Sequence, residues 1–173
     1  MTTAPTSAAP DAAGIASARP PHVAGGITPT KRLIIAGCTN RKSVQRGPLP
    51  ALDRYQGGCV PELRNRLGYR PQRRARIRFL SAEHGLIAAD TPLVWYDRRL
   101  DPARAAFLRP AVTRALAAEF AAGVPDEVLV IAEPVYLVLL ADLLAHPGRP
   151  RIRWIPDPHG WPQAAAVLTD WGW

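Results

Sequence analysis

The chain has 173 residues, 47% of them hydrophobic, with 22 Lys plus Arg against 14 Asp plus Glu, for a formal charge of +8. That length fits one ordinary domain with a real core. Two cysteines without a secretion-type leader exclude a disulfide scaffold and point to a reducing, cytoplasmic setting. No stretch is apolar over the ~20 residues needed to cross a bilayer, so no membrane partner is expected.

Residues 1–29, rich in Ala, Pro, Thr, Ser and Gly without periodicity, read as a disordered, flexible arm ahead of a single domain over 30–173. Lys31 to Ala36 reads as a strand suited to burial on both faces, with Gly37 turning the backbone into a loop. Pro and Gly between Arg46 and Gly58 imply an irregular connection with one helical turn around Leu52–Tyr55. Val60–Leu67 reads as a helix with Pro61 in its first turn. A basic loop over Tyr69–Ala75 leads to a second strand, Arg76–Ala82. Residues 83–99 read as a long connection, of a length that tends to be functional.

Asp101-Pro102 supplies a cap and a first-turn proline, starting a helix that runs to about Ala122 with a break or kink at Pro110. Glu127–Ala132 is a third strand, Pro134–Ala145 a helix and Arg151–Ile155 a fourth strand. The tail from Gly160, with Trp161, Trp171 and Trp173, reads as a short helix packed on the body. Strands alternating with helices in this way predict an α/β fold, a single three-layer domain with a mainly parallel sheet.

The groups able to do chemistry cluster after two strands. In open α/β sheets ligands bind where strand carboxyl ends meet their loops, so the two clusters are expected to share one basic pocket. Cys38, beside Arg41 and Lys42, reads as a nucleophile, with Lys42 or His84 moving protons; the alternative is a small packing residue. Lys occurs only at Lys31 and Lys42 in an Arg-rich chain, which implies a need for a compact, titratable amine at Lys42. Gly37, Thr39, Asn40, Arg41 and Ser43 can cradle an anion, although Walker-type glycines are absent. Cys59 reads as structural.

After the second strand, Ser81 and Gly85 flank Glu83, a base or nucleophile or else an arginine's partner, and His84, an acid or a turn cap. Tyr96 offers a stacking face, with Asp97 and Arg98 beside it. Glu133 follows the third strand on the same edge, with Tyr136 one turn further on. His159 is a weaker candidate. No metal-ligand spacing occurs, and neither metal nor cofactor is expected.

The run Leu80-Ser81-Ala82-Glu83-His84-Gly85-Leu86-Ile87, then Asp90-Thr91-Pro92-Leu93 and Tyr96-Asp97-Arg98, resembles the signature of the YaaA-like peroxide-stress proteins and their smaller relatives. The loop Cys38 to Lys42 is similar to their early Cys-x-x-x-Lys loop and, more distantly, to that of the archaeosine synthase core domain. Tyr55 matches a tyrosine those relatives place before a helix. The resemblance covers roughly residues 32 to 140; Trp95 stands where the family usually has Pro, and the Trp-rich tail has no counterpart.

The resemblance implies an α/β fold with a basic cleft, and either an enzyme handling purine or deazapurine bases or a DNA-binding stress protein. The expectation is therefore an enzyme acting on a small anionic nucleobase, nucleoside or nucleotide. It would work by Cys38 attack or by N-glycosidic cleavage from Glu83, Asp97 or Glu133, in a biosynthetic setting. The alternative is a nucleic-acid-binding protein using Arg70, Arg73, Arg74, Arg76 and Arg78 against phosphate.

Overall fold

A computed structural model describes residues 1–2 and 31–173; the rest of the expected arm lies outside the described residues. Leu33, Ile34, Ile35 and Ala36 are buried in unbroken succession, as only a central strand covered on both faces allows. This strand, β1 (Arg32–Gly37), is followed by β2 (Leu49–Pro50), α1 (Ala51–Arg54), α2 (Val60–Leu67), α3 (Pro71–Arg74), β3 (Ile77–Ser81), β4 (Gly85–Ala88) and β5 (Pro92–Leu93). Then come α4 (Pro102–Ala121), β6 (Glu127–Ile131), a 3-10 segment (Pro134–Leu140), α5 (Ala141–Ala145), β7 (Arg151–Ile155) and α6 (Trp161–Asp170). The main sheet has the order β4-β3-β1-β6-β7, parallel throughout except for β4 on the edge, and β2 pairs with β5 in a separate small ribbon.

Side-chain alternation divides the core into two layers. Ile34, Ala36, Ile77, Phe79, Leu129 and Ile131 point to the face covered by α1, α2 and α6. Leu33, Ile35, Leu80, Val128 and Val130 point to the face covered by α4 and the 3-10 segment. The three-layer α/β architecture with a mainly parallel sheet is what the alternation of strand and helix patterns predicts.

Four local expectations are corrected. Residues 83–99 are not one irregular connection: Gly85, at φ +73°, turns β3 back into the antiparallel β4, and Pro92–Leu93 pairs with Leu49–Pro50. The basic stretch before β3 contains the helical turn α3, started by Pro71. The expected helix from Pro134 is a 3-10 segment first and an α-helix only from Ala141. The tighter winding sets Tyr136 and Leu139 on one face, both against the sheet, and β-branched Val135 and Val138 outward. Helix α4 runs unbroken through Pro110, which is exposed, as is Ala106, whose carbonyl loses that N–H donor.

The tail is clasped rather than merely laid on the body. Glu127, 9% exposed, accepts a hydrogen bond from Trp171 Nε1 (2.7 Å) and is ion-paired with Arg153. Arg32 donates to the Trp171 carbonyl and lies 5.5 Å over its ring. Glu127→Ala leaves the buried Trp171 indole N–H without its acceptor and Arg153 with Asp170 alone. It should cost about 2–3 kcal/mol in denaturant unfolding, with Trp171 fluorescence reporting release of the tail.

Candidate functional site

The chain leaving β1 passes to the face carrying α1 and α2; the chain leaving β6 passes to the opposite face, carrying α4. Where neighbouring parallel strands send their loops apart, a crevice opens at their carboxyl ends. A cleft of about 460 Å³ lies there, walled by Gly37–Arg41, by Gln56–Gly58 and Glu62, by Ala132, Glu133 and Tyr136, and by Pro158–His159. Gly58, at φ +56°, makes part of this wall: a Cβ there would fall 2.7 Å from the Pro158 carbonyl oxygen. Gly37 has no such conformation; it completes β1 instead of turning it, and a Cβ would come within 3.4 Å of Ala132 Cβ.

Cys38 is the first residue past β1. Its N–H donates to the Leu80 carbonyl (2.8 Å), prolonging the β1–β3 ladder, and its half-buried side chain touches both core layers. The sulfur lies 3.1 Å from the Tyr136 hydroxyl. Burial, then charge on Cys38, pushes the Tyr136 phenol well above the ordinary range, so it keeps its proton and donates when the sulfur is a thiolate.

A hydrogen-bond chain lies beside the thiol. Ser81, fully buried, accepts from the backbone N–H groups of Glu83 (3.1 Å) and His84 (3.0 Å). With its lone pairs so occupied, its own proton goes to Tyr96 Oη, 2.8 Å away, which is in turn 2.5 Å from Tyr55 Oη. Burial and charge on Cys38 push the phenols of Tyr55 and Tyr96 upward as well. Lys42 pairs its backbone with Tyr55 and holds its ammonium 4.5 Å from the Tyr96 ring centre. Burial lowers the Lys42 pKa, opposed by charge on Cys38 and Asp97.

The structure thus gathers Cys38, Lys42, Tyr55, Ser81, Tyr96 and Tyr136, and it places the other candidates differently. Asn40, Arg41 and Glu133 line the cleft and are exposed. Thr39 lines it too, but its hydroxyl donates to the Arg41 carbonyl (2.8 Å) and accepts from Gly57 N–H (3.2 Å), bracing the loop. Glu83 is held by Arg98 (3.1 Å) and Arg104 (3.6 Å). His84 is exposed, edge-on to the Tyr96 ring at 5.2 Å, and Asp97 is exposed. Of the gathered cluster only Cys38 and Tyr136 wall the cleft; Lys42, Tyr55, Ser81 and Tyr96 lie behind it, and Glu83, His84, Asp97, Arg98, Ser43 and Gly85 are not on its wall either, so the Cys38 loop and the Ser81–Gly85 turn do not share this pocket as expected. With Lys42 over its face and His84 against it, Tyr96 acts through its hydroxyl more than as an open stacking platform.

Two residues escape sequence reasoning. Arg54 is fully buried and donates to the carbonyls of Ser43 (2.7 Å), Gln45 (3.0 Å), Gly47 and Leu93. In an Arg-rich chain it looks like surface coating; the nearby signal is apolar Ala51, Leu52 and Tyr55 around it. Glu62 looks like an ordinary first-turn acid complementing the helix dipole, yet it walls the cleft. Among the described residues no group of three or more potential metal ligands occurs, and no helix is long and apolar enough to cross a membrane.

Comparison with protein-family models, curated proteins and solved structures finds no match to this chain in any of the three.

Two outcomes follow from this geometry. Arg54→Lys, which cannot span four carbonyls with one ammonium, should lower stability by about 2–4 kcal/mol and raise amide exchange over residues 43–47. In alkaline titration, Tyr55, Tyr96 and Tyr136 should stay protonated at about pH 10, where a free phenol is half ionised, so their phenolate absorbance appears only with unfolding. The sign is fixed by linkage: the unfolded chain loses these protons first, so stability falls as pH rises above the ordinary phenol value.

Proposed function

We propose that the protein is an enzyme acting on a nucleobase, nucleoside or nucleotide by covalent attack of Cys38 on an amidine- or nitrile-like carbon. The observation that carries this reading is the Cys38–Tyr136 hydrogen bond at the mouth of the sheet crevice, beside a lysine whose pKa is lowered by burial. Neutral Lys42 takes the thiol proton; the sulfur–carbon bond forms as the substrate's C–N π electrons move to nitrogen, and the Lys42 ammonium returns the proton there. Tyr136 donates to the sulfur while it is anionic. Arg41 on the rim attracts a phosphate.

The resemblance of the Cys38–Lys42 loop to the YaaA-like and, more distantly, archaeosine synthase loops supports a purine or deazapurine as the base. N-glycosidic cleavage would fall to Glu133, the candidate carboxylate on the cleft wall, since Glu83 is matched by two arginines and Asp97 lies off that wall. The DNA-binding alternative draws less support. Of its five arginines, Arg74 is paired with Asp53 and Asp90, Arg78 with Glu119, and Arg73 donates to the Gly172 carbonyl.

The test is a panel of nucleotides, nucleosides and deazapurines scored by thermal stabilisation and by intact mass for a Cys38 adduct. A stabilising ligand whose adduct is lost in Cys38→Ala is the expected result. Lys42→Arg should slow adduct formation by about 10²–10⁴-fold while leaving ligand affinity nearly intact. Steeply salt-dependent DNA affinity unchanged by Cys38→Ala, with no small ligand, would establish the alternative.

A further inference from the structure

Across the sheet from α2, the layer made by α4 and the 3-10 segment meets solvent with an apolar face. Every exposed position of α4 is Ala, Pro or Phe except Arg114. Phe107 is 72% exposed, and Val135 and Val138 stand outward on the 3-10 segment packed beside the helix. A helix that is apolar on its outer side as well as its inner one has the pattern of a helix covered all round. Beside it, between α4 and α5, lies a groove of about 340 Å³ walled chiefly by Thr113, Leu116, Ala117, Phe120 and Leu143. The charged groups on its rim have partners close by. Arg109 pairs with Asp142, Arg149 donates to the Leu144 carbonyl (2.8 Å), and His146 accepts from the Gly148 N–H (3.0 Å).

Charge and shape both select what covers this face. Two copies of a chain carrying +8 repel each other, so they meet at least cost where charge is sparse, as it is along α4. A projecting ring and a groove to receive it also lie on the same helix. With α4 set antiparallel to a second α4 about a two-fold axis at Pro110, residue 107 stands opposite 113 and residue 106 opposite 114. Phe107 then enters the other copy's groove at Thr113. Arg114, the one charge on the face, meets the Ala106 carbonyl, which Pro110 deprives of its usual N–H donor. Each contact occurs twice, as an isologous interface requires. In area, a 20-residue helix about 30 Å long with its neighbours about 9 Å to the side presents roughly 600 Å² before side-chain relief, approaching the ~800 Å² per partner of a standard interface.

We propose that α4 and the groove beside it form a homodimer interface, occupied by a second copy of this chain. The proposal is independent of what the cleft binds. Covering Val135 and Val138 also braces the segment whose inner side carries Tyr136.

The experiment is sedimentation equilibrium of the full chain across concentration and salt. The wild type should show a monomer–dimer equilibrium that tightens as salt screens the repulsion. Phe107→Ala should weaken association about thirtyfold or more, and Arg114→Ala about tenfold. Phe107→Glu and Ala117→Arg should each leave a monomer, with circular dichroism and a cooperative melt showing that it is folded. Tyr69→Glu, at an exposed position away from this face, should leave the dimer intact.

A monomer at millimolar concentration, or a dimer that Phe107→Glu and Ala117→Arg leave unchanged, would overturn the proposal. So would a monomer in which a photo-crosslinker at position 117 captures residues 3–30 of its own chain. That result would give the groove to the segment ahead of Lys31, whose Nζ donates to the Ala122 carbonyl (2.9 Å).

Discussion

The placement of every chemical group here depends on where the sheet reverses direction. β1 must hand its chain to one face to reach β3, and β6 must hand its chain to the other to reach β7. No backbone can fill the wedge between two loops that part in this way. The first side chain beyond β1 therefore has its base in the core and its end in the wedge. Cys38 meets both demands, touching both apolar layers while its sulfur reaches Tyr136 and the cleft. A larger apolar residue would close the wedge, and a charged one would sit against the two layers.

A wedge is useful only if its loops hold still, and the loop after Cys38 has almost no regular structure of its own. Its order comes from a buried cation. Arg54 loses its hydration on burial, a penalty of several kcal/mol, and recovers it through charge-assisted bonds to four carbonyls, each worth roughly 1.5–3 kcal/mol. What Arg54 achieves is a fixed path for residues 43–47 and a fixed distance to β5. The Lys42–Tyr55 bridge and the Ser43 N–H to the Arg54 carbonyl (2.8 Å) then set Lys42 over the Tyr96 ring.

Much of this was legible in the residues because it is local. The apolar run of β1, the span of α2 from Val60 to Leu67 and the strand Arg151–Ile155 follow from periodicity and flanking Pro or Gly. The β4 hairpin was hidden because Glu83 and His84 look like a chemical cluster, although their backbones serve the turn by donating to Ser81. The 3-10 segment was hidden because an apolar run after Pro134 fits either winding, and tertiary docking of Tyr136 and Leu139 decides it. At the site, Cys38, Lys42 and Ser81 stand out by type. Glu62 joins them only because Gly58 lets α2 approach Pro158, a contact a hundred residues away in the chain that no local pattern announces. The tryptophan tail is similar: its partner Glu127 lies in β6, and only the folded sheet brings them together.

The surroundings of Cys38 also explain why the chain departs from its own habits there. Nearly every cation is arginine, which stays charged at all accessible pH values and cannot exchange a proton. Lys42 is the exception beside the thiol, and its burial moves it toward the neutral form. Around the thiol stand three phenols held in their protonated state, which carry no fixed charge. A guanidinium at Lys42 would stabilise a thiolate permanently, lowering its reactivity along with its basicity. Under the proposed function, a lysine within a set of neutral donors can exchange a proton with the sulfur, which a guanidinium cannot. Arg98 is spent on Glu83 and Arg54 on backbone carbonyls, and Arg41 lies exposed on the cleft rim, so Lys42 is the titratable cation near the thiol.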